Sequence, residues 1–540
     1  MGEPLLRGLM MDEFPLSLTT LVERAERFTP GRKVVYRRPD GKVHRTTMGD
    51  CARRGRCLAS ALTELGIGEG DRVGTLMWNQ PEHLEVYNAV PSMGGVVHTL
   101  NPRLHPDELG FIASDADDKA IILDETLINV VESFRDAHHF EHVIVVSHSG
   151  GVPDGTIDYE SLIERGEPME WPEPDERRAA AICYTSGTTG RPKGVLYSHR
   201  ALVLHSMGAA LPDAMNISSR DTVLPVVPMF HANAWGIPYT ATMMGASLVL
   251  PGPKLDAESV LDLLADEKVS LTAGVPTVWM AMLGAIEAEP DRWDLSSLRR
   301  LLVGGSAVPR SMIEGYQKHG LTIVQGWGMT ETSPLASTQI VPPELDDVSA
   351  EELFEYRARQ GIPAPFVEIR ARGDDGELIP WDDQAMGELE VRGPWVAAAY
   401  FQGTGAEKFT EDGWFQTGDV VKIDPRGSIR ITDRAKDLVK SGGEWISSVD
   451  MENLLMGHPT VAEAAVIAVP DEKWGERPMA VVVLKDDAEA TADDLREHLS
   501  GHFAKWQLPE RVEFIDEIPR TATGKFKKTA LREQFVKAAV

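Results

Sequence analysis

A chain of 540 residues is longer than one hydrophobic core ordinarily serves, so at least two domains are expected. Its formal net charge of −29 argues against wrapping nucleic acid or docking on an anionic membrane, and it requires that any phosphate ligand be met by a local cationic site. Three cysteines, Cys51, Cys57 and Cys183, make neither a disulfide framework nor a paired metal spacing, and they point to a reducing cytoplasm.

The opening MGEPLLRGLMMDEF has no basic region followed by an apolar run, so no secretory leader is expected. LVERAERF (21–28) reads as a helix. Residues 50–66 place apolar side chains at helical spacing and stop on Gly66, and RVGTLM (72–77) follows as a buried strand. The pair 96–102 and 119–125 continues this rhythm, as do 260–275 and 297–328. Strands alternating with helices imply an α/β fold with parallel sheets and helices on both faces.

Two stretches, 222–253 and 269–286, lack Asp, Glu, Lys and Arg and have the length of membrane spans. Pro225, Pro228, His231, Asn233 and Pro238 interrupt the first, and Gly274 and Pro276 the second, so both are read as buried strands and pocket walls. From about 385 the pattern shifts to period-2 alternation broken by Gly, Pro and Asp, with a turn at Asp424-Pro425-Arg426-Gly427, which predicts a β-rich subdomain over 385–433. These divisions predict an N-terminal domain over 1–433 and a compact α+β C-terminal domain over 434–540.

The sharpest chemical feature is YTSGTTGRPKGV (184–195), which follows the short apolar run AAAIC. Gly187, Gly190 and Gly194 remove side-chain bulk so that backbone N–H groups can approach an anion. Thr185, Ser186, Thr188 and Thr189 add hydroxyl donors, and Lys193 adds a charge. Such a loop suits a polyphosphate. It is not a Walker A loop, because Gly194 follows the lysine and the glycine spacing fails.

TSGTTGRPKG resembles the phosphate loop of the adenylate-forming superfamily, which includes acyl-CoA synthetases, peptide-synthetase adenylation domains and firefly-type luciferases. QGWGMTET (325–332), GWFQTGD (413–419), DRAKDLVKSGGEW (433–445) and PRTATGK (519–525) match the same family in the same order, so the resemblance covers nearly the whole chain. It implies that Trp327, with Gln325, Gly326 and Gly328, lies against adenine, that Thr330 meets the α-phosphate, and that Glu331, with the Thr185 hydroxyl, holds Mg²⁺. Gly305, Ser306 and Ala307 of GGSAVP would contact adenosine. Asp419, supported by Arg434, would bind ribose, and Lys436, Lys440 and Trp445 would contact nucleotide in the closed state.

The same resemblance makes Lys525 the catalytic cation of adenylation. His231 would lie near the acyl carboxylate, Trp235 would gate an acyl channel, and Val275 would line that channel. Gly443 would lie beside the pantetheine arm of coenzyme A. Asp433 would be a hinge about which a mobile C-terminal domain swings between half-reactions. The implied reaction joins a carboxylic acid to coenzyme A using ATP and Mg²⁺, through an acyl-adenylate, in a cytoplasmic homodimer with no transmembrane segment. Residues 223–236, 272–279 and 435–450 look closest to bacterial medium- and long-chain fatty acyl-CoA synthetases. Enzymes for a small acid such as 3-methylthiopropionate look similar there and form the alternative. A luciferase-like oxygenase would share every motif. A non-catalytic nucleotide-binding protein is disfavoured by retention of the Lys, Glu and Asp positions. A peptide-synthetase module would place a carrier domain beyond the C-terminal unit.

Overall fold

The computed structural model describes residues 11, 14–173, 175–185, 191–306, 308–441, 444–521 and 525–536. Two large sheets dominate the first 365 residues. One has seven strands and is parallel except where Ala179–Tyr184 pairs antiparallel with Gly194–Ser198. The other has nine strands. Its centre is parallel, with Ile323–Gly328, Arg300–Val303, Leu271–Gly274 and Thr222–Pro225 side by side. The central strands are too apolar to face water on either side, so helices such as Met48–Glu64, Ala257–Asp266 and Arg310–Lys318 cover them. Met48–Glu64 starts on a Thr47 hydroxyl that accepts the Asp50 N–H, and its Leu58 and Leu62 are fully buried.

Strand is the smaller part of the two uncharged stretches, Thr222–Pro225 and Ser247–Leu250 in the first and Leu271–Gly274 in the second. The helix Ile237–Met244 lies in the first and Pro276–Ala288 begins in the second, which corrects the reading of these stretches as strands, while the first does supply cavity wall at His231 and Trp235. Ile237–Met244 is buried on most sides, and Pro276–Ala288 carries small or apolar residues such as Met280, Ala281 and Gly284 on its exposed face as well, so neither shows a polar face that would mark a helix. Among the described residues no helix is long and apolar enough to cross a membrane.

A four-stranded antiparallel sheet follows, built from Glu368–Arg372, Gly387–Arg392, Phe415–Ile423 and Ile429–Arg434. It begins ahead of the change in texture near 385. The final unit carries its own mixed sheet around the long hairpin Val461–Asp471 and Gly475–Leu484, with the helices Ser448–Met456, Ala492–Ser500 and Lys528–Phe535 packed on it. The molecule is thus a mixed α/β protein with a large N-terminal and a small C-terminal domain.

A buried ionic cluster joins the last helix to the start of this unit. The Lys528 ammonium lies 2.7 Å from Glu452 and donates to the Ser448 hydroxyl, while Asp433 accepts the Ser448 N–H at 2.9 Å. Burial opposes the charge on Lys528, but Glu452 and Asp433 outweigh that cost and hold its pKa above the ordinary lysine value. Removing the cation would strand two buried carboxylates. Lys528→Met is therefore expected to destabilise the C-terminal unit by about 3–5 kcal/mol. A thermal unfolding midpoint equal to the parent's would contradict this.

Candidate active site

Four adjacent parallel strands end along one edge of the nine-stranded sheet. Their carboxyl ends deliver Trp327, Gly305, Val275 and the segment leading to His231. Open α/β sheets bind ligands outside such ends. The second large sheet brings Tyr184 and Thr185 to the same place from the end of Ala179–Tyr184. Between them lies a cavity of about 530 Å³. Thr185, Lys193, His231, Trp235 and Gly305 line it, together with Gln325, Gly326, Trp327, Gly328, Thr330 and Glu331. Arg434, Lys436 and Lys525 complete its polar wall.

The phosphate-loop candidate is the connection of a β-hairpin in which Tyr184 faces Gly194. Its neck is closed twice: the Thr185 N–H donates to the Lys193 carbonyl at 3.0 Å, and the Lys193 N–H donates to the Thr185 hydroxyl at 3.1 Å. Tyr184 donates its hydroxyl to Asp115 at 2.6 Å, which anchors the base of the hairpin to the helix Pro106–Ala116. Ser186, Gly187, Thr188 and Thr189 lie outside the described residues, as do Ala307 and Gly443.

Trp327 does not stand alone. Its indole N–H donates to Asp419 Oδ2 at 2.9 Å, and Arg434 Nε lies 2.6 Å from Asp419 Oδ1. Asp419 and Arg434 are direct cross-strand partners in the antiparallel sheet, which is why they meet. The Asp419 carboxylate is buried behind Trp327, and Gly418 rather than Asp419 faces the cavity.

Glu331 sits in a 3₁₀ turn, Thr330–Thr332, whose Thr330 carbonyl accepts the Tyr197 hydroxyl at 2.7 Å. Tyr400 donates to one Glu331 oxygen at 2.6 Å and leaves the other available. The Lys193 ammonium lies 5.0 Å from the centre of the Tyr400 ring and 3.6 Å from Glu407. Sequence reasoning missed Tyr400 and Lys408, which also lines the cavity, because a lone aromatic and a lone lysine in a loop carry no motif. The donor set here, one carboxylate oxygen beside a threonine hydroxyl, is hard oxygen chemistry that fits Mg²⁺.

His231 opens an unusual turn. Ala232, Asn233, Ala234 and Trp235 all have positive φ, from 41° to 57°, followed by Gly236 at 73°. Left-handed conformation costs an L-residue about 1–2 kcal/mol, with Asn the most tolerant of the four. The indole of Trp235 crosses Gly304, where an added Cβ would lie 3.1 Å from the ring. Burial first, then the charges of Lys525 and Arg103, lower the His231 pKa to about 4, so its imidazole is neutral at pH 7.

Lys525 enters from the C-terminal unit. Its loop is closed by the Thr521 N–H donating to the Lys525 carbonyl at 2.7 Å. Its Cε stands 3.8 Å from where a Gly305 Cβ would be, and Val275 Cγ1 lies 3.4 Å from the same point. Gly305 has φ 91°, and it is this left-handed conformation, not crowding, that calls for glycine. Desolvation, then Arg434, pull the Lys525 pKa down to about 8, against the attraction of Asp419 and Glu331.

Five of the expected residues that the structure describes do not line the cavity: Asp419 lies behind Trp327, Val275 lies beside Gly305, and three others stand further apart. Ser306 is exposed and does not line it. Lys440 and Trp445 do not face it either: the ammonium lies 2.9 Å from Asp374 Oδ2 and the indole N–H donates to the same oxygen at 3.2 Å. Both side chains belong to an exposed polar contact between the C-terminal unit and the antiparallel sheet, which corrects their assignment to nucleotide in this arrangement.

Comparison with known proteins agrees with this geometry. The family model described as AMP-binding enzyme matches residues 22–401, and that for the AMP-binding enzyme C-terminal domain matches 450–525. A long-chain-fatty-acid–CoA ligase of Thermus thermophilus is 48% identical over 531 residues, covering 97% of this chain and 96% of that one. A 3-methylmercaptopropionyl-CoA ligase of Ruegeria lacuscaerulensis is 44% identical over 536 residues, covering 98% of each. Among solved structures, ATP-bound MatB from Rhodopseudomonas palustris superposes with a TM-score of 0.84 at 26% identity, covering 98% of this chain and 100% of that one. With one family model spanning most of its length and close relatives aligned end to end, the chain belongs to the AMP-binding enzyme family.

Proposed function

We propose that the acid taken by this AMP-forming acid–CoA ligase is a medium- or long-chain fatty acid. The observation that carries the reading is the meeting of Lys525, Glu331, Thr185 and Lys193 around one cavity that runs on to apolar Met215, Leu302 and Trp235. The identity to the Thermus thermophilus enzyme supports the fatty acid. A small acid such as 3-methylthiopropionate is the second reading. It is favoured by the Ruegeria relative and by Trp235, whose ring covers Gly304 and shortens the apolar end.

In this reading the substrate carboxylate attacks the α-phosphorus of ATP, and pyrophosphate leaves. No protein base is needed, so the residues act by positioning and charge stabilisation. Trp327 lies against adenine. Asp419, already oriented by Trp327 and Arg434, accepts from ribose after a small turn of the indole. Lys525 meets the carboxylate and α-phosphate oxygens, and neutral His231 stands beside the acid. Glu331 and the Thr185 hydroxyl hold Mg²⁺, which neutralises phosphate charge when bound. The thiolate of coenzyme A then attacks the acyl carbonyl and AMP departs, with rotation about Asp433 withdrawing Lys525 between the two steps.

The test is coenzyme A-dependent AMP formation with acids from propionate to palmitate, beside 3-methylthiopropionate. Activity peaking at medium or long chains, and reduced about 10²–10³-fold in Lys525→Ala, is expected. A peak at the small thioether acid would replace the fatty acid reading. Because Lys525 acts protonated, kcat/KM for adenylate formation should hold below pH 8 and fall as pH rises through about 8. His231 adds no limb near neutrality, and a profile flat to pH 9.5 would count against Lys525 as the cation. Tyr400→Phe frees the Glu331 oxygen it now holds, so the Mg²⁺ requirement should rise about 10–100-fold with the acid KM unchanged. An unaltered Mg²⁺ titration would remove Tyr400 from the site.

A further inference from the structure

The turn that carries His231 and Trp235 is held in its left-handed form from behind, by a buried side chain that touches no part of the cavity. Asn233 is almost fully buried. Its Oδ1 accepts the Cys183 thiol at 3.2 Å, and its Nδ2 donates to the Tyr87 hydroxyl at 3.0 Å. Tyr87 in turn donates to the Met229 carbonyl, just ahead of the turn, and Cys183 lies 3.4 Å from the Thr99 hydroxyl. Asn79 fastens the approach to the turn, donating to the Pro225 and Val227 carbonyls and accepting the Met229 N–H. Within the turn the backbone makes short-range bonds, Ala234 N–H to the His231 carbonyl and Gly236 N–H to the Asn233 carbonyl. Those bonds do not by themselves select a left-handed path for four residues with side chains.

We propose that Asn233, through Tyr87 and Cys183, is a specificity-determining positioning residue for the acid. It pins a strained turn so that Trp235 stays across Gly304 and His231 stays beside Lys525, and so sets the depth of the acyl channel. Without the pin, the turn relaxes toward an ordinary backbone path and the indole leaves Gly304, which deepens the channel and loosens the hold on the carboxylate. Asn233 makes no hydrogen bond to Trp327, Thr330 or Glu331, so the KM for ATP is the control expected to stay unchanged. The proposal rests on the acid-ligase reading above.

The experiment compares the parent with Asn233→Ala, Asn233→Gly, Tyr87→Phe and the Asn233→Ala/Tyr87→Phe pair, each checked for folding by circular dichroism. KM for acid, KM for ATP and the chain-length profile of AMP formation are measured for each. The acid KM should rise about tenfold or more in both Asn233 variants, with a broadened profile and an unchanged ATP KM. Tyr87→Phe, which keeps the ring in the core and is the milder change, should move the same way, and the pair should be no worse than Asn233→Ala alone. Parental acid KM and profile in Asn233→Gly would overturn the proposal, because glycine removes the pin without adding strain and leaves nothing to hold the turn in one conformation. Acid and ATP KM rising together in Tyr87→Phe would overturn it too, as the mark of a general structural role. A parent inactive on every acid would remove the ligase reading itself, which is a different failure from that of the pin.

Discussion

Asp419 is a buried carboxylate with a donor on each oxygen, and the two sheets meet on it where the C-terminal unit begins. Trp327 reaches it from the nine-stranded sheet, while the aspartate and its cross-strand partner Arg434 belong to the antiparallel sheet, whose last strand ends at Arg434. A carboxylate removed from water is tolerated only when paired and hydrogen-bonded, and breaking such a pair costs about 3–5 kcal/mol. The need to satisfy that one group therefore fixes the indole plane against the cavity. It also fixes where the chain stands as it enters the C-terminal unit. The placing of Lys525 above Gly305 depends on that entry.

The charge distribution has the same logic on a larger scale. A chain of net charge −29 gathers Lys193, Lys436, Lys525 and Arg434 around one cavity. Desolvation first, then repulsion from Arg434, lowers the pKa of Lys525, and desolvation lowers that of Lys436. Asp419 and Glu331 offset this for Lys525. The result is a site with affinity for phosphate that remains protonated at neutral pH. Its balance of opposite charges changes as soon as a polyanion enters.

The C-terminal unit has its own apolar clusters and its own ionic anchor at Lys528. Its contacts with the rest are polar: Lys440 and Trp445 on Asp374, Arg430 near Asp450, and Lys525 within the cavity. Polar contacts exchange for water at little free-energy change, whereas a shared apolar core would not. Such a unit would suit the proposed role of Lys525, which serves one half-reaction and is withdrawn for the next.

Local order was legible in the sequence because its causes are local. Apolar spacing located Met48–Glu64, and β-branched runs located strands such as Arg72–Leu76. Glycine and threonine density marked the hairpin loop, and the order of five motifs marked the family. Ile237–Met244 is buried on most sides and Pro276–Ala288 is apolar or small even on its exposed face, so neither left a polar trace, and the charged edge strand Glu368–Arg372 hid the start of the antiparallel sheet. Which residues face one another was decided only by tertiary structure. The Tyr400 hydroxyl on Glu331, Asp419 shared between Trp327 and Arg434, Lys440 turned to Asp374, and Asn233 pinning a left-handed turn all join positions far apart in the chain. Sequence determines which chemistry the side chains can do. Their partners follow from sheet register and crossover packing, which bring together residues that no spacing along the chain relates.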